Sequence, residues 1–205
     1  MNAAARWWFL FAATAVLLLL ASFYLDAAAH TWMVQKQNAG VRKLMQMVSR
    51  FGDWPEHIVL GGILMGLAYW RGSKKWTRIF AAMILACALA GVVTRVVKVS
   101  AGRARPNVQS EAQWNGPRFS PRYNAFPSGH TAASTAFFAT LAFASWRIGL
   151  GLLAVPLLIA FSRMYVGAHH LSDVVCAGLS GALVAYFVAR RMFRAIDNRK
   201  STIEN

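Results

Sequence analysis

Acidic residues are scarce in this chain: Asp and Glu number 7, against 22 Lys and Arg. The stretches that carry its polar motifs hold no carboxylate cluster suited to magnesium. Cysteine is scarcer still. Cys87 and Cys176 each sit inside an apolar run, which excludes a disulfide framework and a clustered zinc site. Both read as small core residues. Charge of either sign is thin, at 14% of residues, where an average soluble domain carries about 25%. Much of the surface is therefore not built for water. A second composition regime is also missing, so residues 1–205 are expected to form a single domain.

Long apolar runs are what the chain has in abundance, with 57% of residues hydrophobic. A bilayer core about 30 Å thick needs about 20 apolar residues in a helix. Six segments approach that length: 7–25, 58–70, 76–97, 128–146, 148–165 and 171–189. The second is short and borrows from Trp54 onward. Their interiors are rich in Ala and Gly, which permits close helix contact. The expectation is an all-α fold, an integral membrane bundle of six transmembrane helices. Arg6, the first run and Ala27-Ala28-Ala29 resemble a secretory signal. That run, however, is longer than the 7 to 15 residues usual for such peptides, and Trp7 and Trp8 look like an interfacial anchor. The first segment is read as retained.

Between the first two runs, residues 32–51 are amphipathic. Met33, Val41, Leu44, Met45 and Val48 alternate with Lys36, Arg42, Lys43 and Arg50, which fits a helix lying on the membrane or a loop with a half-buried helix. The basic residues sit between apolar runs, so membrane flanks and an anion site explain them better than nucleic acid. Six spans put both termini on one side. Once Lys98, Arg105 and Arg163 are assigned to an anion, the remaining cations favour cytoplasmic termini, the basic tail from Arg190 to Arg194 most clearly.

Three segments hold polar residues that lipid would reject: Lys98 to Pro106, Pro127-Ser128-Gly129-His130, and Ser162-Arg163 followed by His169 and Asp173. In a six-span layout they meet at one membrane face. Ionisable groups there are functional candidates by default. Their chemistry suits phosphoryl transfer, which needs cations and N–H donors aimed at spread negative charge. Lys98, Arg105 and Arg163 supply cations. Ser128 and Gly129 open a helix, where free N–H groups favour an anion. His169 and Asp173 are four apart and share a helical face, so the carboxylate can hold one ring nitrogen while the other attacks phosphorus. His130 is then placed to donate a proton to the departing oxygen.

These patterns, Lys98-x6-Arg105-Pro106, Pro127-Ser128-Gly129-His130 and Ser162-Arg163-x5-His169-x3-Asp173, resemble the three motifs of the type-2 phosphatidic acid phosphatase superfamily, in its membrane lipid phosphatase branch. The resemblance implies that His169 becomes phosphorylated, Asp173 orients it and His130 is the general acid. It implies that Lys98, Arg105, Ser128, Gly129 and Arg163 hold the phosphate, with no metal or other cofactor. It also implies a site facing the periplasm or exterior, and the compact chain suits a bacterial inner membrane. The substrate expected is a lipid phosphomonoester or pyrophosphate. Undecaprenyl diphosphate is the first candidate, ahead of phosphatidic acid, phosphatidylglycerophosphate and lipid A phosphates.

Two other classes stay open: a phosphotransferase using the same histidine to pass phosphate to a second acceptor, and a catalytically silent lipid-binding or transport protein, which would keep the bundle but has no reason to keep all of the catalytic residues. The superfamily's vanadate-dependent peroxidases are typically soluble, which the apolar runs oppose. Outside the motifs, His170 reads as a packing residue. Arg103, Arg118 and Arg122, with Trp114 and Tyr123, suit either a second anionic part of the substrate or a solvated loop.

Overall fold

The computed structural model describes residues 2–203, without the side chains of 3–4 and 194–203. The basic tail's Arg194 side chain and Asn205 therefore lie outside the described residues. The described chain is all-helical: α1 (Ala3–Gln35), α2 (Ala39–Phe51), α3 (Trp54–Trp70), α4 (Lys74–Ala101), α5 (Gly129–Ala144), α6 (Trp146–Leu152), α7 (Ala154–Tyr165) and α8 (Leu171–Ile203), with one 3-10 turn at Pro121–Tyr123.

Helix α5 is the axis of the bundle, packing against α8, α4, α6, α7 and α3. Small side chains make this possible. Ala82, Ala86 and Ala90 of α4 meet Ala132 and Ala136 of α5 and Ala177 of α8, all buried. At Gly181 of α8 an added Cβ would lie 2.6 Å from the Ala132 carbonyl oxygen, so this crossing tolerates no side chain. A second core cluster, built on Ile79, Met83, Cys87, Phe137 and Leu141, packs a neighbouring face of α4 and α5. α1 packs mainly on α8, and leaves Trp7, Phe9, Leu17 and Leu20 exposed.

Four stretches are long and apolar enough to cross a membrane: 5–35, 74–101, the α6–α7 pair over 146–165, and 171–193. α3, with 17 residues, and α5, with 16, are shorter. The expected run 148–165 is broken at Leu153, whose N–H contacts the carbonyls of both Gly149 and Leu150. Pro156 follows in the first turn of α7, where its missing N–H is harmless. The first helix continues through Gln35, past the expected end at 25. Asp26 and His30 do not stop it, because Asp26 finds buried partners described below.

The amphipathic stretch divides. Residues 32–35 finish α1, and α2 is capped by Asn38, whose side chain accepts the N–H groups of Gly40 and Val41. α2 buries Met45 against Met33 and Tyr165 and leaves Val41, Leu44, Met47 and Phe51 exposed. The turn before it is tied to α7, since the Tyr165 hydroxyl donates to the Lys36 carbonyl at 2.7 Å and accepts from the Asn38 N–H at 3.0 Å.

α4 ends at Gly102, in the left-handed region with φ +56°. An added Cβ there would lie 1.7 Å from the Gly116 carbonyl oxygen, so glycine is required on two counts. The loop that follows folds back on itself. The Ala104 N–H donates to the Gln113 carbonyl, the Arg105 N–H to Arg122 and the Ala125 N–H to Arg103. The chain thus carries the first motif to the mouth of α5.

Candidate active site

The three polar segments converge as the six-run layout requires: at the C-terminus of α4, the N-terminus of α5 and the α7–α8 junction. Lys98, Arg105, Gly129, His130, Arg163 and His169 line one cavity of about 620 Å³. Ser128 and Asp173 stand directly behind it, both fully buried. Each position has a local cause. Ser128 caps α5, its Oγ accepting the Thr131 N–H at 3.4 Å and the Thr131 hydroxyl at 2.9 Å. Its own N–H donates to the Asp173 carbonyl at 3.1 Å, joining the second motif to the third. An added Cβ at Gly129 would meet little besides Lys98 Cε at 3.5 Å. This stretch of backbone therefore faces open cavity, at a helix start that favours an anion.

The cations are arranged around that start. Lys98 Nζ donates to the Asn124 carbonyl at 2.8 Å. Arg163 Nη1 bonds the hydroxyl of Ser49 on α2. Among the described residues, the buried Nε groups of Arg105 and Arg163 have no acceptor. Unpartnered buried guanidinium donors are costly, and an oxyanion in the cavity would satisfy them. Burial pushes the Arg105 guanidinium below its ordinary range, with Asp173 opposing.

His169 sits in the short link between α7 and α8 and is buried. Its Nδ1 lies 3.5 Å from Asp173 Oδ2. That is an ion-pair distance, longer than a good hydrogen bond, and Nδ1 has no other partner among the described residues. Burial drives the His169 pKa down to about 3, with Asp173 opposing and the cations of Lys98 and Arg163 reinforcing the fall. The ring is thus neutral at pH 7, the form with a lone pair to give. Across the cavity, His130 Nδ1 lies 3.9 Å from Asp53 Oδ1.

Asp173 is held by a network the motifs did not reveal. Its Oδ2 accepts the His170 N–H at 2.8 Å, and its Oδ1 accepts from Arg103 Nη1 at 2.5 Å. The other guanidinium arm, Nη2, reaches Asp26 Oδ2 on α1 at 2.7 Å. Ser172 closes the set, donating its N–H and hydroxyl to Asp26 at 2.8 and 2.6 Å while accepting from Arg103 at 2.7 Å. The guanidinium also lies 4.8 Å from the Trp114 ring centroid and 5.3 Å from that of Phe23.

Both sequence readings of Arg103, a second anion subsite or a solvated loop, are therefore corrected. The side chain is fully buried, because two carboxylates and two aromatic faces replace its water. Trp114 belongs to the same packing, against Phe23 and Phe126. Arg118 lies over Tyr123 at 5.2 Å. Arg122 lines an open hollow beside Arg105 and Asn107. His170 is a packing residue, its Nε2 3.2 Å from the Ala104 carbonyl, and burial beside Arg103 lowers its pKa. Among the described residues, no three His, Cys, Asp or Glu side chains gather as a metal cage. Sequence reasoning passed over Asp26, Ser172, Asp53, Ser49 and Asn124. Only Asp26, a carboxylate directly at the end of the first apolar run, gave a usable signal.

The cavity has a second character. Trp54, Ile58, Ala88, Gly91, Val92 and Val96 line it between α3 and α4, so one wall is cationic and the other apolar. The arrangement can hold an anionic head at the helix start with its apolar remainder alongside α3 and α4.

Comparison with known proteins agrees with this chemistry. The sequence matches the profile described as the PAP2 superfamily over residues 79–197, a stretch containing every motif position from Lys98 to Asp173. It is similar to the lipid A 1-phosphatase of Rhizobium johnstonii, 27% identical over 173 residues, covering 75% of this chain and 69% of that protein. The fold is similar to the crystal structure of a transmembrane PAP2 type phosphatidylglycerolphosphate phosphatase from Bacillus subtilis. The TM-score is 0.68 at 18% identity, over 92% of this chain and 94% of that one. It is also similar to LpxE of Aquifex aeolicus, with a TM-score of 0.59 at 18% identity, over 81% and 95% of the respective chains.

Proposed function

The chain belongs to the PAP2 superfamily, and from that premise we propose that it hydrolyses a lipid phosphomonoester or pyrophosphate through a phosphohistidine, without a metal ion. Membrane lipid phosphatases of PAP2 type are its kin; the mechanism is the finer reading. One observation carries it: a single cavity joins the cations, both histidines and a helix start to an apolar wall between α3 and α4.

The phosphate sits at the start of α5, against the N–H groups of Gly129 and its neighbours, with Lys98, Arg105 and Arg163 around its oxygens. The His169 nitrogen remote from Asp173 attacks phosphorus. A nitrogen–phosphorus bond forms as the bond to the lipid oxygen breaks, and His130 delivers a proton to that oxygen. Asp173 stabilises the imidazolium that results. Water then attacks the phosphohistidine, passing a proton back to His130 as the nitrogen–phosphorus bond breaks, and inorganic phosphate and the neutral His169 are released. The lipid body lies along α3 and α4.

The bundle supporting this chemistry crosses the membrane six times, through α1, α3, α4, α5, the α6–α7 pair and α8. α5 spans about 24 Å at 1.5 Å per residue. Its shortness is tolerable because Thr131 to Leu141 are almost all buried in protein rather than exposed to lipid. The site faces the periplasm or exterior of a bacterial inner membrane, and α2 lies on that surface.

Undecaprenyl diphosphate remains the first candidate substrate. A lipid A 1-phosphate is the second, favoured by the named activity of the Rhizobium johnstonii relative. The test is phosphate release by the detergent-solubilised protein across a lipid panel, with and without a sugar acceptor, alongside phosphoenzyme trapping. Release without acceptor and a trapped phosphoenzyme absent from His169→Ala are expected. Transfer solely to the acceptor favours the phosphotransferase, and silence across the panel defeats both.

A further inference from the structure

Asp53 is placed where the reaction would need a second carboxylate. Its side chain caps α3, Oδ1 accepting the Trp54 N–H at 2.9 Å, and the same oxygen lies 3.9 Å from His130 Nδ1. Asp53 also lines the catalytic cavity. The turn that carries it is fastened to α5. His57 Nδ1 contacts the Asp53 carbonyl at 2.7 Å, and His57 Nε2 contacts the Ser134 hydroxyl at 3.1 Å. Ser134 also contacts the Gly52 carbonyl at 3.4 Å. Ser134 is one helical turn below His130 on the same face of α5. A capping role alone does not account for a buried histidine holding the cap opposite His130.

The charges around His130 supply the reason. Arg163 of α7, Lys98 of α4 and Arg105 of the following loop line the same cavity as His130. Positive charges sharing a pocket disfavour one another, and a general acid must carry a proton when substrate arrives. Among the described residues, Asp53 is the carboxylate within ion-pair distance of that ring. We propose that Asp53 is a positioning residue for His130, orienting its imidazole and favouring its protonated form so that the proton reaches the departing lipid oxygen. The site then contains two His–Asp pairs: His169–Asp173 for attack and His130–Asp53 for departure. This inference rests on the general-acid role of His130 proposed above.

Asp53→Asn and Asp53→Ser separate the two duties of this side chain, because Asn and Ser cap helices about as well as Asp but carry no charge. Single-turnover phosphoryl transfer is measured on a lipid phosphate, whose alkoxide leaves poorly, and on an aryl phosphate, whose phenolate leaves without help. Both variants are expected to lose about 5-fold in rate on the lipid, the scale of a partly solvated ion pair. On the aryl substrate they lose less than about 2-fold, with KM nearly unchanged. His130→Ala, run in parallel, shows the larger loss of the same kind, and adding Asp53→Asn to it costs nothing more. Equal losses on both substrates, or none, while His130→Ala keeps its leaving-group dependence, would overturn the role of Asp53 alone. No leaving-group dependence in His130→Ala would overturn the general-acid reading beneath it. Asp53→Ala, with a lower thermal stability than Asp53→Asn, reports the cap separately.

Discussion

Replacing Arg103 by Met is expected to destabilise the protein and to slow it on every substrate. The side chain is fully buried and donates to Asp26, Asp173 and Ser172. Methionine fills much of the volume but leaves two buried carboxylates facing an apolar group. Breaking a buried ion pair from one side typically costs about 3–5 kcal/mol. Summing three charge-assisted bonds at about 1.5–3 kcal/mol each would overshoot, since Ser172 and Asp26 keep their own bonds to each other. The lower range is therefore the expected one. Asp26→Asn removes one of the stranded charges, so the double variant Asp26→Asn with Arg103→Met should be more stable than the sum of the single losses predicts. A coupling of about 1–3 kcal/mol is expected. Arg103→Lys should not rescue, because one ammonium cannot bridge two carboxylates as a planar fork does.

The assay is thermal unfolding of purified protein in detergent, with the four members of the cycle compared under one condition. On the proposed mechanism, Asp173 loses the donor on Oδ1, so attack by His169 slows. Lipid and aryl phosphates should lose rate together, unlike the pattern expected for Asp53. Additive losses in the cycle, or Arg103→Met within about 1 kcal/mol of the parent, would refute the view that Asp26, Arg103 and Asp173 act as one unit.

Gly102→Ala should abolish folded protein, as its φ is +56° and the added Cβ would collide with the Gly116 carbonyl. Gly116→Ala, also at positive φ but facing open space, should fold with a thermal stability lower by about 1 kcal/mol. Acid should act through His169. Its folded pKa of about 3 lies below the ordinary 6.5, so its stabilising contribution is present above pH 6.5 and lost as pH falls toward 3. His169→Gln should accordingly unfold with a shallower pH dependence across that window, as followed by thermal melts. Activity should survive EDTA without added magnesium and be inhibited by vanadate. Full loss on chelation, restored by one divalent ion, would sink the metal-free mechanism. A cysteine at Asn115, in the loop after α4, should react with an impermeant thiol reagent from outside the cell; labelling solely after permeabilisation would invert the topology.

The convergence of the three motifs was legible because each polar residue stood out against apolar surroundings and occupied the same end of its run. Lys98, Gly129, His130, Arg163 and His169 needed no more than helix parity to be brought to one level, and they line one cavity. Helix ends were less legible. The first apolar run ends at 25 because hydropathy fades at Asp26. The helix itself continues, since backbone hydrogen bonding does not depend on hydropathy and Asp26 is satisfied from elsewhere. The break at Leu153 had no marker beyond Gly149, Gly151 and Pro156, which an apolar helix tolerates.

The residues that hold the site were harder to read than those that line it, for a geometric reason. Motif residues act on a ligand whose chemistry is known in advance, so their types and spacing suffice. Supporting residues act on one another. Asp26 meets Ser172 across 146 positions, Arg103 meets Asp173 across 70, and His57 meets Ser134 across 77, and no periodicity links such pairs. One physical rule nevertheless applied. A carboxylate deep in an apolar helix needs a cation, and the cation it finds is withdrawn from solvent and from substrate alike. Applied to Asp26, that rule demands one Lys or Arg from the surplus of basic residues. Arg103, directly after the helix-ending Gly102, is the one delivered inward. The guanidinium that satisfies Asp26 through one arm fixes Asp173 through the other, so the first helix, though it supplies no motif, is joined through two charges to His169.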